Sequence, residues 1–367
     1  MTIWVDAKNP AIYGSGISHW LHDLLADIAP SLRSQMVLAV PDSSNEQVYP
    51  DLAIPRVDTP WIKSLPRRFS QLLYDNYSFQ RTAKRAKPAL IFSPYYDVLV
   101  PKGIPAVITI HDLCYVEAAK QYPFLQRTYF IAQMKRNLKR AGLVVTVSET
   151  SKSALVDIIK IPASKIQVIE NTLGSDFNAY TPAQVEIDSF RDRTQSPNPI
   201  VLYTGGFENR KNIPNLVAAC KILNTQESPI QLMVTGNQKQ QWLELLGSDT
   251  VTAASITFTG YLNDKDLKAA YLAANAVVAP SLSEGYGRSC LEAIATGTPL
   301  ACSDIKVFHE VSGEDAIYFD PHSPLAIADG IRKAINRNRG SSQTIDTARR
   351  LTQIREFEDK IVKLARL

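Results

Sequence analysis

Ser283-Glu284-Gly285-Tyr286-Gly287-Arg288-Ser289-Cys290-Leu291-Glu292-Ala293 follows an apolar run at residues 276–281. The order is strand, glycine-rich turn, helix. In open α/β sheets ligands bind outside the carboxyl ends of the strands, which is where this turn falls. Gly285 and Gly287 permit tight backbone turns and close approach of a ligand. From Arg288 onward the segment reads as a helix whose free N–H groups and positive dipole end face a phosphate. Glu284 stands before that helix and Glu292 about a turn inside it. Both reach one extended ligand, with hydroxyls at one end and a ribose at the other. Taken alone, the segment also fits a plain glycine-rich loop with a capping glutamate.

Short, nearly continuously apolar runs recur on both sides of it. They lie at 2–6, 35–40, 89–93, 106–112, 143–148 and 166–170, then at 200–205, 230–236, 256–260, 276–281, 299–303 and 316–320. Strands of a parallel sheet covered on both faces read this way. Their alternation with longer helix-like segments predicts a doubly wound α/β fold. Breaker-rich stretches at 178–199 divide the chain into residues 1–178 and 190–343. A second breaker stretch, 336–342, precedes a final helix expected over 344–367. Its apolar positions Ala348, Leu351, Ile354, Phe357, Ile361 and Leu364 form one stripe that must be buried.

The 367 residues suit two domains at about 150 residues each. With 45% hydrophobic and 21% charged residues, disorder is excluded as the main theme. No apolar stretch approaches the ~18–20 residues of a membrane helix. The N-terminus lacks the basic-then-apolar pattern of a secretory signal. Cys114, Cys220, Cys290 and Cys302 form no close pair in sequence, against a disulfide scaffold or zinc site and in keeping with a reducing cytosol. Residues 1–180 carry 20 Lys and Arg against 15 Asp and Glu, whereas residues 181–367 carry 20 against 21. The excess is densest over 61–88, with Lys63, Arg67, Arg68, Arg81, Lys84, Arg85 and Lys87 against Asp75 alone. Such a face is either simply solvated or drawn to anionic lipid, at about 1 kcal/mol per basic residue. No nucleic-acid recognition motif accompanies the charge.

Three further strand ends carry chemistry. Gly205-Gly206-Phe207-Glu208-Asn209-Arg210-Lys211-Asn212 places adjacent cations behind a Gly-Gly turn. Arg supplies a fork of donors and Lys a compact charge, which suits a diphosphate. Thr109-Ile110-His111-Asp112 puts a histidine where it meets a hydroxyl or phosphate, or serves structure only. Tyr13-Gly14-Ser15-Gly16-Ile17 follows the first strand, but the third glycine of the dinucleotide fingerprint is His19, so NAD is weakly supported. Walker, G-x-S-x-G and H-E-x-x-H motifs are absent.

Taken together these residues resemble glycosyltransferase family 4, over almost the whole chain. The Glu284-to-Glu292 spacing is the most specific element. Gly14-Ser15-Gly16, Ile110-His111-Asp112, Val147-Ser148-Glu149-Thr150-Ser151-Lys152 and Gly205 to Asn212 follow the family's order. The resemblance implies two Rossmann-like domains with a cleft between them (GT-B), the first binding acceptor, the second the sugar nucleotide, and the final helix packing back on the first. It implies that Glu284 holds donor-sugar hydroxyls and Glu292 ribose hydroxyls. Arg210 and Lys211 then stabilise the leaving diphosphate, with amides from Gly287 to Cys290 sharing that task. His111 would contact the donor sugar, Gly16 would lie near diphosphate or acceptor, and Tyr261-Leu262 would meet the base. Gly205, Gly206, Gly285, Tyr286, Gly287, Arg288, Ser289 and Cys290 complete the expected donor site. Two departures stand out. Arg288 and Ser289 replace the usual apolar or proline residues, and Glu170-Asn171-Thr172 replaces Pro-Asn-Gly.

The implied activity is retaining, metal-independent transfer of a hexose from a nucleoside-diphosphate sugar, with domain closure excluding water. UDP-glucose is the first donor expected, and a GDP-mannose-dependent mannosyltransferase or a sugar-nucleotide epimerase are the alternatives. A binding protein on a decayed fold is disfavoured because Glu284, Glu292, Arg210 and Lys211 are intact. No cofactor is expected. The acceptor expected is a saccharide or lipid-linked hydroxyl in polysaccharide or glycolipid assembly, with no nucleic-acid partner. The expected location is the cytoplasm, with peripheral attachment at the inner membrane face through 61–88.

Overall fold

The computed structural model describes residues 2–8, 16–42, 48–62, 64, 67–225, 229–343, 345 and 347–366. The chain forms two compact units. One comprises Met1–Thr172 with Thr347–Leu367, the other Leu173–Asp346.

The first unit is built on a seven-stranded parallel sheet. Its strands are β1 (Ile3–Asp6), β2 (Met36–Pro41), β3 (Arg56–Thr59), β4 (Leu90–Ser93), β5 (Ala106–Ile110), β6 (Leu143–Thr146) and β7 (Ile166–Val168). Their order is β3-β2-β1-β4-β5-β6-β7. Six match apolar runs in the sequence. β3 was not among them, because it is an edge strand carrying Arg56 and Asp58 outward and only Thr59 is buried. The sheet is sealed partly by helix Gly16–Asp27, whose Trp20 stacks edge-on against Phe92 and donates its indole N–H to the Ile169 carbonyl at 3.2 Å.

The final helix, Ala348–Arg366, packs within this unit, Phe357 against Phe92 with ring centroids 5.6 Å apart. It begins later than the expected position 344, and Thr344 itself lies outside the described residues. Its buried stripe is Arg350, Ile354, Phe357 and Ile361 rather than one through Ala348 and Leu351, which are exposed. The rotation is set by Arg350, which is 3% exposed and pairs with Asp27 at 3.1 Å.

The second unit holds β8 (Ile200–Tyr203), β9 (Gln231–Thr235), β10 (Ile256–Gly260), β11 (Ala276–Ala279), β12 (Leu300–Ser303) and β13 (Ala316–Phe319). All pair parallel, in the order β10-β9-β8-β11-β12-β13, the doubly wound arrangement. The order reverses between β8 and β11, so the crevice at the ends of those two strands is the expected ligand position. The boundary between units falls at 172/173, ahead of the 178–199 stretch expected from breakers. Leu173, Phe177 and Phe190 are buried in the second unit's core, which claims that segment. Cys290 and Cys302 are free cysteines buried in the same core. Among the described residues no helix is long and apolar enough to cross a membrane.

Candidate functional site

β8 ends at Tyr203, and the turn Thr204-Gly205-Gly206 follows. The Tyr203 hydroxyl folds under the turn and donates to the Gly206 carbonyl at 2.8 Å. A Cβ on Gly205 would lie 2.4 Å from that hydroxyl, so only glycine fits. A short 3₁₀ turn, Asn209–Lys211, then presents the two cations. Asn212 closes it in the left-handed region at φ 60, and its buried amide donates to the carbonyls of Pro280 and Pro321. The Arg210 carbonyl accepts from Leu282 N–H at 2.8 Å. The loops after β8 and β11 are thus stitched together, which fixes where Arg210 and Lys211 point.

They point at Glu284. Arg210 Nη1 lies 2.6 Å from Oε2 and Lys211 Nζ 2.5 Å from Oε1, with the Ser281 hydroxyl donating to Oε1 at 2.8 Å. Burial alone would push this carboxyl up. The two cations and the hydroxyl together outweigh it and hold Glu284 at about 2. The cluster is therefore a fixed anion between two fixed cations at physiological pH.

Gly287 caps the next helix, Arg288–Ala295, with φ +106, and an added Cβ would meet the Phe308 ring at 2.7 Å. Both conformation and space require glycine. Cys290 N–H donates back to the Gly287 carbonyl at 2.9 Å, which removes it from the amides expected to face a phosphate. Glu292 lies in this helix and is buried. Arg288 Nε donates to its Oε1 at 3.0 Å, and the Tyr271 hydroxyl to its Oε2 at 2.7 Å. Here burial wins: despite Arg288 and Tyr271 the Glu292 carboxyl is raised above its ordinary range. Tyr286 packs against the core beneath, Gly285 is buried, and Ser289 follows Arg288 in the first helical turn.

The other expected residues lie on other elements. Tyr261 follows β10, is 53% exposed, and gives its N–H to the Asn237 side chain at 3.1 Å, while Leu262 packs on the core. In the first unit, His111 ends β5 and stacks edge-on against Trp20 at 4.9 Å. Burial lowers its pKa to about 4, against the opposing Asp112 charge and a bond to the Pro94 backbone. Its Nε2 is buried without a partner among the described residues. The Pro94 carbonyl therefore takes the Nδ1 proton, and Nε2 is left as a neutral acceptor suited to a hydroxyl. Gly16 opens its helix with nothing within 4 Å of an added Cβ. Gly14 and Ser15 lie outside the described residues. Ser148 caps helix Glu149–Ala154 by accepting from Ser151 N–H at 3.0 Å, so that run builds a helix start.

Sequence reasoning missed Tyr271, Thr204 and Ser281. Tyr271 sits mid-helix among alanines and reads as core. The one available signal is that a buried tyrosine hydroxyl needs a partner.

Two family models match the chain: Glycosyltransferase Family 4 over residues 17–173 and Glycosyl transferases group 1 over 184–351. O-antigen chain mannosyltransferase B of Escherichia coli is 29% identical over 69% of this chain and 66% of its own length. O-antigen chain mannosyltransferase RfbU of Salmonella typhimurium is 30% identical over 58% of this chain and 56% of its own. The chain thus spans less than two thirds of these relatives. Among solved structures, HepE of Anabaena in complex with UDP-glucose superposes with a TM-score of 0.72 at 20% identity, over 98% of this chain and 99% of that one. The two matched segments, the two parallel doubly wound sheets and these likenesses agree: the chain belongs to glycosyltransferase family 4 and has the GT-B fold.

Proposed function

We propose that the chain is a retaining, metal-independent mannosyltransferase that uses GDP-mannose and acts on a hydroxyl of a saccharide or lipid-linked acceptor. The observation that carries the reading is the Arg210–Glu284–Lys211 cluster beside the Gly205–Gly206 turn. Breaking a sugar–phosphate bond develops positive charge on the sugar and negative charge on the diphosphate. Fixed cations aimed at the leaving group stabilise that change without reorganising. Arg210 and Lys211 supply that charge, so the step needs no divalent ion. Glu284, held ionised, fixes both cations and accepts donor-sugar hydroxyls. Glu292 accepts from the ribose. Among the described residues no free carboxylate stands in the cluster as a nucleophile, which favours front-face substitution with retention.

Mannose is placed ahead of the UDP-glucose expected from sequence. The two O-antigen chain relatives at 29–30% identity are described as mannosyltransferases, whereas the UDP-glucose complex is a likeness of fold at 20%. An epimerase needs proton-transfer groups with pKa values near neutrality. Glu284 at about 2 and His111 at about 4 do not serve. Incubation with GDP-mannose or UDP-glucose, an acceptor panel and EDTA tests the reading. Product of retained anomeric configuration from one donor, undiminished by EDTA, is expected. An epimerised nucleotide, or transfer that EDTA abolishes, refutes it.

A second element of the proposal is attachment to an anionic membrane. Phe69, Leu72, Leu73 and Tyr77 are exposed on the helical segment at 67–79, and Phe124, Leu125 and Tyr129 on helix Phe124–Arg140. Asn76 joins the segments, accepting from Gln133 at 2.9 Å and Arg136 at 3.1 Å. Exposed Arg81, Lys84, Arg85 and Lys87 flank the apolar face. Asp75, the acid interrupting this basic run, is buried on Lys8 at 2.9 Å. Sedimentation with phosphatidylglycerol vesicles, weakened by K84E/R85E and by salt, is expected. Indifference to vesicles at low salt refutes the attachment.

A further inference from the structure

Arg288 is the first residue of helix Arg288–Ala295, one turn before Glu292. It stands where the family resemblance expects an apolar residue or proline. Its guanidinium does not point away to solvent: the side chain is 17% exposed and donates to Glu292 Oε1 at 3.0 Å. Tyr271, from helix Asp264–Ala273, donates to the other oxygen at 2.7 Å. Since its one proton is spent there, the Thr204 hydroxyl, 2.9 Å away, donates to the Tyr271 oxygen in turn. Glu292 is 4% exposed, and its carboxylate is gripped from two elements, one oxygen by each. The other charge facing it is Asp264, which acts against Arg288.

Resting on the nucleotide reading of this site, we infer that Arg288 is a positioning residue for ribose capture, keeping the Glu292 carboxylate aimed and able to accept. A carboxylate offers about four lone-pair sites. Arg288 and Tyr271 occupy two. Two remain, one per oxygen, which matches the vicinal hydroxyls of a ribose. A buried carboxyl without its cation takes up a proton and becomes a donor on one oxygen. That form is mismatched to two hydroxyls that both must donate. Burial already raises the Glu292 pKa, so Arg288 is what keeps the accepting form populated toward acid pH. The arrangement also predicts preference for ribonucleoside over 2′-deoxyribonucleoside diphosphates.

Calorimetric titration of GDP and UDP into the full chain, from about pH 5 to pH 8, tests this. Arg288→Met is expected to bind about ten- to a hundredfold more weakly at the acid end, recovering toward wild type at the alkaline end. Arg288→Lys restores affinity in part and moves the pH dependence back. A loss equal at every pH makes Arg288 a direct diphosphate contact and overturns the inference, as does no loss. Carbon NMR of labelled glutamate follows Glu292 in the free protein. A Glu292 midpoint unmoved by Arg288→Met overturns the inference even where nucleotide binds. Wild-type protein that binds neither GDP nor UDP at any pH overturns the nucleotide reading itself, and the ribose role with it.

Discussion

Replacing Glu284 by Gln removes a charge and keeps its shape. The native carboxyl is held at about 2 against an ordinary 4.5. A factor of ten in proton affinity is 1.36 kcal/mol, so ionisation of Glu284 stabilises the second unit by about 3 kcal/mol. The side chain is 11% exposed, so solvent screening takes little from that figure. The folded pKa is depressed, so the contribution is complete above 4.5 and is lost as pH falls toward 2. Glutamine has no such dependence. In Glu284→Gln, Arg210 and Lys211 also face each other with no anion between them. Both stay charged throughout, so that repulsion adds a constant offset to the difference. Only the pH-dependent part tests the reasoning: wild type minus variant should shrink by about 2 kcal/mol between pH 6 and pH 3. Hydrogen exchange of the β8 amides, Ile200–Tyr203, reads the second unit alone. A difference that stays parallel across that range would refute the pairing.

Arg210→Ala or Lys211→Ala should lower kcat by about a hundredfold with little change in KM, read in steady-state transfer from GDP-mannose or UDP-glucose, since the charge they meet grows in the transition state. Gly287→Ala must adopt φ +106 and press on Phe308, so a loss of about 2 kcal/mol or more and a lowered Tm are expected in thermal melts. Asp6 is fully buried, and burial, reinforced by Asp75 and Asp97 against Lys8, raises its carboxyl to about 7. A raised pKa gives stability at acid pH that is lost as pH climbs through 7, so Asp6→Asn should gain on wild type from pH 5 to pH 8 in first-unit hydrogen exchange.

Most of the scaffold was legible because covered parallel strands must be largely apolar, and twelve of the thirteen strands coincide with apolar-rich runs of the sequence. β3 escaped because an edge strand has one open side and admits Arg56 and Asp58. Breakers between 178 and 199 mark exposed chain. Membership in a unit is decided instead by where Phe177 and Phe190 are buried, Phe177 edge-on to Tyr271 at 6.1 Å. Within the site, motifs contiguous in sequence were legible and partnerships were not. Arg210 and Lys211 read as ligands for a diphosphate, but the pairing of Lys211 with Glu284 across 73 residues, and of Arg210 with the same carboxylate, has no local signature. The same holds for buried Lys8, which meets Asp75 across 67 residues. A chain position carries no record of the charge that folding brings to it.

The two glutamates of one motif show why that record matters. They are the same side chain, eight residues apart, both buried, and folding drives them in opposite directions. Glu284 meets two cations and a hydroxyl, which overcome burial and fix it as an anion. Glu292 meets one cation and one phenol, with Asp264 opposing, and burial prevails. The first state suits a group that must hold two cations still while charge develops beside them. The second suits a group whose accepting capacity is gated by its neighbour. On the proposed function, the asymmetry puts turnover at the Glu284 end and capture at the Glu292 end. It follows that substitutions of Arg210 or Lys211 should appear in kcat, and those of Arg288 in nucleotide affinity at acid pH. A variant set in which these two effects are exchanged would mean that the roles of the two carboxylates are reversed.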